Sequence, residues 1–381
     1  MNILFSLLIF SLPFGVLFRF GIAPNVFLYP QDVFAGLIFL AFLVLLLQKR
    51  VVVEKKLFIL AALFLSLGFV SPLLNSSYLR SEQFLASFAY LVRFASYLSI
   101  IYAVPLLNKK YIARLKPKMI AAGSLFTVLG FIQYFYYPNL KNLYYLGWDE
   151  HLGRMFSTFL DPNFAGAFLV LVLILTITNI KKSKLHTLLS CLILVAIFLT
   201  HSRSAIIMLF VSGVVFLVAN KLHKHIALLM LVLVSGLIIF SNTQFEGLNP
   251  FRIASTEARI DSAREAIIIF SKKPILGVGF NAYRYAKDRY IKETTKSQFQ
   301  SNSDAGTDNS YLFVLATAGV VGFLVFLDFW FNILKRVYKE SAVFAAVAGL
   351  LVNTLFINSV FYTPIMAWVF ILIGTTLSRR R

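Results

Sequence analysis

Apolar runs of roughly 17–25 residues follow one another along the chain, and only one of the polar gaps between them is long. Wound as helices, such runs match the hydrocarbon thickness of a bilayer. In lipid a helix satisfies its own backbone polar groups, whereas a membrane barrel would show alternating apolar and polar residues. The pattern therefore predicts an all-α polytopic membrane protein. We place spans at about 2–18, 33–47, 57–74, 84–107, 118–137, 158–180, 185–200, 203–220, 225–241, 310–334, 341–357 and 359–378. The runs at 185–200 and 203–220 nearly touch, which predicts a hairpin turning at His201-Ser202-Arg203. The long gap is 242–307, with room for folded structure. No internal repeat or linker divides the chain, so 1–381 reads as one domain with 242–307 as a loop within it.

Composition sharpens this. Hydrophobic residues make up 59% of the chain and charged residues 14%, against about a quarter charged in ordinary soluble domains. A net charge of +20 in a soluble protein would suggest nucleic acid, but here its placement explains it. Twenty Lys and Arg lie in the gaps at 48–56, 108–118, 181–184, 221–224 and 335–339 and at 379–381. The short gaps on the other side hold five: Arg19, Arg80, Lys141, Arg154 and Arg203. The positive-inside rule then puts both termini in the cytoplasm, makes the span number even, most simply twelve, and leaves no call for a nucleic-acid partner. The same alternation puts 242–307 outside; long loops cross regardless of their charge. The first run, from Ile3, lacks a basic leader and a cleavage site and reads as a retained span. A single cysteine, Cys191, excludes an intrachain disulfide and a cysteine-built metal site.

Polar residues gather at outward-facing span ends. In Gly153-Arg154-Met155-Phe156-Ser157-Thr158-Phe159-Leu160-Asp161-Pro162-Asn163, Asp161 and Asn163 suit a helix start, as caps or as substrate ligands. Arg154 suits an anion or a lipid headgroup. In Thr200-His201-Ser202-Arg203-Ser204, an arginine between two close spans is costly unless it faces water, a partner or a ligand. Its planar guanidinium favours a phosphate, and snorkelling to headgroups is the plainer alternative. His201 alone makes no metal site and reads as structural.

Within the long loop, residues 256–271 place Ile260, Ala263, Ile267 and Phe270 at helical spacing, with Arg259, Asp261, Arg264 and Glu265 largely elsewhere on the wheel. Lys272-Lys273-Pro274 ends the pattern. This predicts an amphipathic helix on the outer membrane surface. Arg259 and Arg264 reach a lipid diphosphate there or are merely solvated. Gly277-Val278-Gly279 lacks the strand, helix and acidic partner of a dinucleotide site and reads as a turn. Asp308 and Asn309 precede the next span; Asp308 is a helix cap or a general base at the mouth of a cavity. Arg93, inside a span, is expected to face the bundle interior and an anion, either a carboxylate or the substrate's phosphate.

The ordered set Arg154…Ser157-Thr158-Phe159-Leu160-Asp161-Pro162-Asn163, Thr200-His201-Ser202-Arg203-Ser204-Ala205, Arg259…Pro274-Ile275-Leu276-Gly277-Val278-Gly279 and Asp308-Asn309-Ser310-Tyr311-Leu312…Gly319…Gly322 resembles the O-antigen ligase and O-antigen polymerase superfamily of bacterial inner-membrane glycosyltransferases. The resemblance covers roughly 150–330. It implies a GT-C-like bundle with one large periplasmic loop and an undecaprenyl-diphosphate-linked glycan donor. A glycan or lipid acceptor is implied too, with neither metal nor cofactor. A flippase and a chain-length regulator are the implied protein partners. Family arginines match Arg203 and Arg259, here the catalytic cations, with Asp308 where many members carry a histidine. Ala263 stands where the family often has an aromatic residue. Arg93, Arg154, Asp161, Asn163, Ser202, Arg264 and Asn309 are the expected substrate ligands. Both departures favour a polymerase over a ligase. A transporter or lipid flippase is the rival from another class, though such folds often show repeated halves. A peptidoglycan glycosyltransferase of the shape, elongation and division type is a second enzymatic rival.

Overall fold

The structure is a computed structural model; it describes all residues except 24, 25, 52, 76–78, 242–252, 292–301, 380 and 381. The described residues are almost wholly helical. In chain order the helices are α1 (Asn2–Ser11), α2 (Pro30–Leu47), α3 (Lys55–Leu74), α4 (Ser81–Ala103), α5 (Lys109–Tyr136), α6 (Pro162–Thr176) and α7 (Lys184–Leu199). They continue as α8 (Arg203–Ala219), α9 (Ile226–Ser241), α10 (Ile253–Lys272), α11 (Tyr283–Tyr290), α12 (Ser310–Val337), α13 (Ser341–Asn353) and α14 (Thr363–Ser378). A small antiparallel hairpin, β1 (Phe20–Ala23) and β2 (Val26–Leu28), pairs Phe20 with Leu28 after α1.

Six helices are long and apolar enough to cross a membrane, and six shorter apolar ones accompany them. Each expected span falls on one of these. Boundaries moved for local reasons. Asn108 accepts from the Lys110 N–H and starts α5 nine residues early. Asp161 caps α6 with Pro162 in its first turn, so the helix begins four residues late, after a 3-10 turn at Ser157–Phe159. The α7–α8 hairpin forms as expected, turning at His201 with φ 50°.

The core shows which helices are central. From Ala165 to Thr176 every residue of α6 is buried, as is α14 from Thr363 to Thr376. A helix apolar on all sides belongs inside, and these two are ringed by the others. They meet through Phe168 and Trp368, 4.9 Å apart edge to face, and through Phe164 stacked on Tyr362 at 4.2 Å. Both helices start at the same end of the bundle, where the site lies.

The long loop holds two helices. α10 covers the expected amphipathic segment, but its faces divide differently from the expected stripe. Ala266 and Ile269 are buried against Phe313 and Ala316 of α12, while Ile260 and Ile267 point outward with Ile268 and Ile275. The outward isoleucines keep the face suited to a membrane surface. After α10 the chain crosses α12 where that helix is broken at Gly319 (φ 65°, ψ −172°). Val278 and Gly279 donate to the Ala316 and Thr317 carbonyls at 2.9 and 3.0 Å, and Val320 donates to Pro274 at 2.8 Å. Gly277 (φ 70°) faces Thr317 and Gly319 faces Ile275 so closely that a Cβ on either would lie under 2.5 Å from backbone. Ser71 of α3 and Asn75, just after its end, both donate to the Gly277 carbonyl. The glycines therefore form the expected turn, and it docks into a helix break.

Candidate functional site

A cavity of about 1020 Å³ opens where α6, α10 and α14 begin or pass and where α12 is about to start. Its wall includes Arg93, Arg154, Asp161, Asn163, Arg259 and Asp308. Six of the ten expected site residues thus share one space, although they span 216 positions of sequence.

Arg259 and Asp308 are brought together by backbone-level ties. Ser262, one turn beyond Arg259 on α10, donates through Oγ to Thr307 Oγ1 at 3.0 Å and accepts from the Asp308 N–H at 3.2 Å. Behind them Lys287 of α11 pairs with Glu265 at 2.7 Å and Asp304 at 3.1 Å, fixing α10, α11 and the approach to α12 to one another. Asn309, not Asp308, caps α12, accepting from the Tyr311 and Leu312 N–H groups at 2.8 and 3.0 Å. Its Nδ2 donates to the Leu355 carbonyl. Asn309 is thus committed to the helix start, and Asp308 is left facing the cavity.

The electrostatics of the cavity follow from burial and from its own charges. Burial raises the Asp308 pKa above the ordinary carboxylate value; Arg259 counteracts, while Asp161 and Asp149 reinforce the rise. Burial lowers the Arg259 pKa; Asp308 opposes this and the charge of Arg203 adds to it. For both partners lost hydration outweighs their mutual attraction. Arg203, at the first position of α8, does not line the cavity wall, but its charge acts on Arg259. Both guanidiniums remain charged at physiological pH, so the two side chains repel. The starts of α6 and α8 add positive dipole ends nearby; a Cβ at Gly166 would meet Ala205 at 2.6 Å, so the two helices run in close contact.

Arg154 has a scaffolding role. Its Nε donates to the Thr200 carbonyl at 2.9 Å, and Nη2 donates to the His201 carbonyl and Asn163 Oδ1, each at 3.3 Å. Ser202 caps α8 and donates to the same Asn163 oxygen at 3.0 Å. Asp161 accepts from the Asn163 N–H at 2.7 Å as the cap of α6. Together these residues set the α7–α8 turn, and hence Arg203, against the start of α6. His201 is buried beside Arg154, and burial first, then that charge, lowers its pKa to about 4. It is neutral at physiological pH, and no cluster of metal-ligating side chains occurs among the described residues.

One expected ligand lies off the cavity wall, and Arg93 takes the carboxylate, one of the two partners expected for it. Arg264 does not line the cavity; it is largely exposed and lies 3.4 Å from Asp261, one turn earlier on α10. Arg93 lines the cavity but is engaged by a carboxylate: Asp32 Oδ2 lies 3.1 Å away, the Phe27 carbonyl accepts from it, and the Tyr90 ring lies 4.5 Å beneath it. Asp32 also accepts from Tyr97 Oη at 2.8 Å and from the Tyr29 N–H at 2.9 Å. Asp32 escaped notice in the sequence, although a carboxylate in Pro30-Gln31-Asp32 at the start of an apolar run is its signal. The acidic pair Asp149 and Glu150, also on the cavity wall, escaped too. They lie in a polar gap where nothing distinguishes them from solvated residues.

A comparison with curated proteins gave no match. The family model described as O-antigen ligase matches residues 188–327, which include Arg203, Arg259 and Asp308, and over that stretch the chain is similar to the O-antigen ligase and polymerase superfamily.

Proposed function

We propose that this multi-pass membrane protein polymerises undecaprenyl-diphosphate-linked oligosaccharide repeat units, for an O-antigen, capsule or exopolysaccharide, by inverting glycosyl transfer. The observation that carries the reading is the meeting of Arg259 with Asp308 on one cavity, under the charge of Arg203. The acceptor hydroxyl oxygen attacks the anomeric carbon of the donor. The bond from that carbon to the diphosphate breaks, its electron pair leaves with the polyprenyl diphosphate, and the acceptor proton passes to Asp308. Arg203 and Arg259 neutralise the charge gathering on the leaving group. One displacement without a covalent intermediate inverts the anomeric configuration.

In this reading all twelve apolar helices cross the bacterial inner membrane, both termini are cytoplasmic, and the cavity faces the periplasm. A flippase supplies the donor and a chain-length regulator acts on the product. Transfer of a finished glycan to lipid A-core or a protein is the second reading, favoured by the description of the matched family as O-antigen ligase. Deleting the gene separates the two. A polymerase mutant keeps single-repeat glycans, whereas a ligase mutant accumulates long lipid-linked polymer. Repeat units stranded on the cytoplasmic side would remove both in favour of a flippase.

The proton role has its own signature. A base works ionised, so transfer rate should rise with pH through the pKa of Asp308, which burial places above the usual carboxylate value. The Asp308→Asn variant should lose that acidic limb. An unchanged pH–rate profile would leave Asp308 without a part in proton transfer.

A further inference from the structure

The cavity wall runs against the charge of the chain. Net charge is +20, yet the wall carries the carboxylates Asp149, Glu150, Asp161, Asp261, Glu265 and Asp308 against the cations Arg93, Arg154, Arg259 and Lys287. Most of these have duties already described: Asp161 caps a helix, Glu265 pairs with Lys287, Asp261 with Arg264, and Arg93 with Asp32. Asp149 and Glu150 differ, since no ion pair neutralises either among the described residues. They come from the connection between α5 and α6, outside the residues matched by the family model.

That connection is held firmly at the cavity. The Leu140 N–H donates to the Glu150 carbonyl at 2.7 Å, and the Gly153 N–H to the Pro138 carbonyl at 2.8 Å. Gly147 turns at φ 82° just before Trp148. Trp148 lines the cavity beside the two carboxylates, with the Arg19 guanidinium 5.8 Å from its ring. An indole face and two acceptor carboxylates are the groups that bind a sugar: the ring covers its C–H face, and the carboxylates accept from its hydroxyls. Asp149 is also near enough to Asp308 for its charge to act there, so this wall adjoins that carboxylate.

We propose that Trp148, Asp149 and Glu150 form the acceptor-sugar subsite of the cavity, and that it selects neutral or amine-bearing glycans against those carrying carboxylates. The proposal rests on the diphosphate reading, since a donor held at Arg203 and Arg259 leaves this wall to the acceptor. Attraction and exclusion act together here: hydroxyls and ammonium groups meet acceptors, whereas a uronate meets like charge in a partly enclosed space.

The test uses the full chain in lipid nanodiscs. Farnesyl diphosphate fills the arginine end, and binding of maltotriose, a glucosamine trimer and trigalacturonate is then measured by calorimetry. The glucosamine trimer and maltotriose should bind at least about tenfold more tightly than trigalacturonate, a gap of roughly 1.4 kcal/mol. The Asp149→Asn/Glu150→Gln variant should reduce that gap to about twofold or less while binding farnesyl diphosphate as the parent does. Trigalacturonate binding as tightly as maltotriose, an unchanged gap in the variant, or no sugar binding at all would overturn the subsite. Failure of the parent protein to bind farnesyl diphosphate would instead overturn the diphosphate reading.

Discussion

Replacing Arg259 with alanine should lower transfer by at least about 10²–10³-fold, the scale seen when one preorganised donor to a developing charge is removed. The effect should fall on turnover with lipid-linked donor while protein level and melting temperature hold. Arg259 is only half-buried, and no hydrogen bond or ion pair of its own holds the fold together among the described residues. Arg259→Lys keeps the charge but loses the planar fork, and should recover only part of the rate. Arg264→Ala on the same helix is the internal control, being exposed, paired with Asp261 and not part of the cavity wall. Full activity of Arg259→Ala in a reconstituted assay, or equal loss in both variants, would remove Arg259 from the chemistry.

Asp32→Ala should have the opposite profile, a large loss of stability. It strips the partner from Arg93, whose side chain is 12% exposed, and unpairs Tyr97 Oη and the Tyr29 N–H at once. Breaking a buried pair from one side costs about 3–5 kcal/mol, because the remaining charge stays in a poor solvent. Asp32→Asn keeps one acceptor oxygen, and so one of the two contacts made by the Tyr97 hydroxyl and the Tyr29 N–H, and should lie between. Thermal unfolding of detergent-solubilised protein measures this, and an unshifted transition for Asp32→Ala would show that Arg93 finds other solvation.

These two residues also mark where sequence reasoning succeeded and where it stopped. Arg259 and Asp308 were legible because their local patterns, a helix in a polar loop and a polar pair before an apolar run, are short-range features. Arg264 was not separable from Arg259, since both are loop arginines. Five positions on an α-helix set them about 140° apart, and only the packing of Ala266 and Ile269 on α12 decides which one faces the cavity. Asp308 and Asn309 are equally good caps, so choosing between them needed the hydrogen bonds of the Tyr311 and Leu312 N–H groups. Asp32 and Arg93 lie on different helices, and nothing local to either names the other. The hairpin at His201 could be read from two apolar runs almost in contact. The buried positions of α6 and α14 could not, because an apolar run looks the same facing lipid or protein.

The docking of Gly277 into the break at Gly319 has a consequence for how this centre varies among sequences. The bonds that join α10's trailing segment to α12 run from amide to carbonyl, so the spacing between guanidinium and carboxylate is written in main chain. Most side chains along 274–279 are then free to drift with the surrounding lipid or glycan without disturbing that spacing. The two glycines are the fixed points of the alphabet, where any added carbon would pry the segment after α10 away from α12.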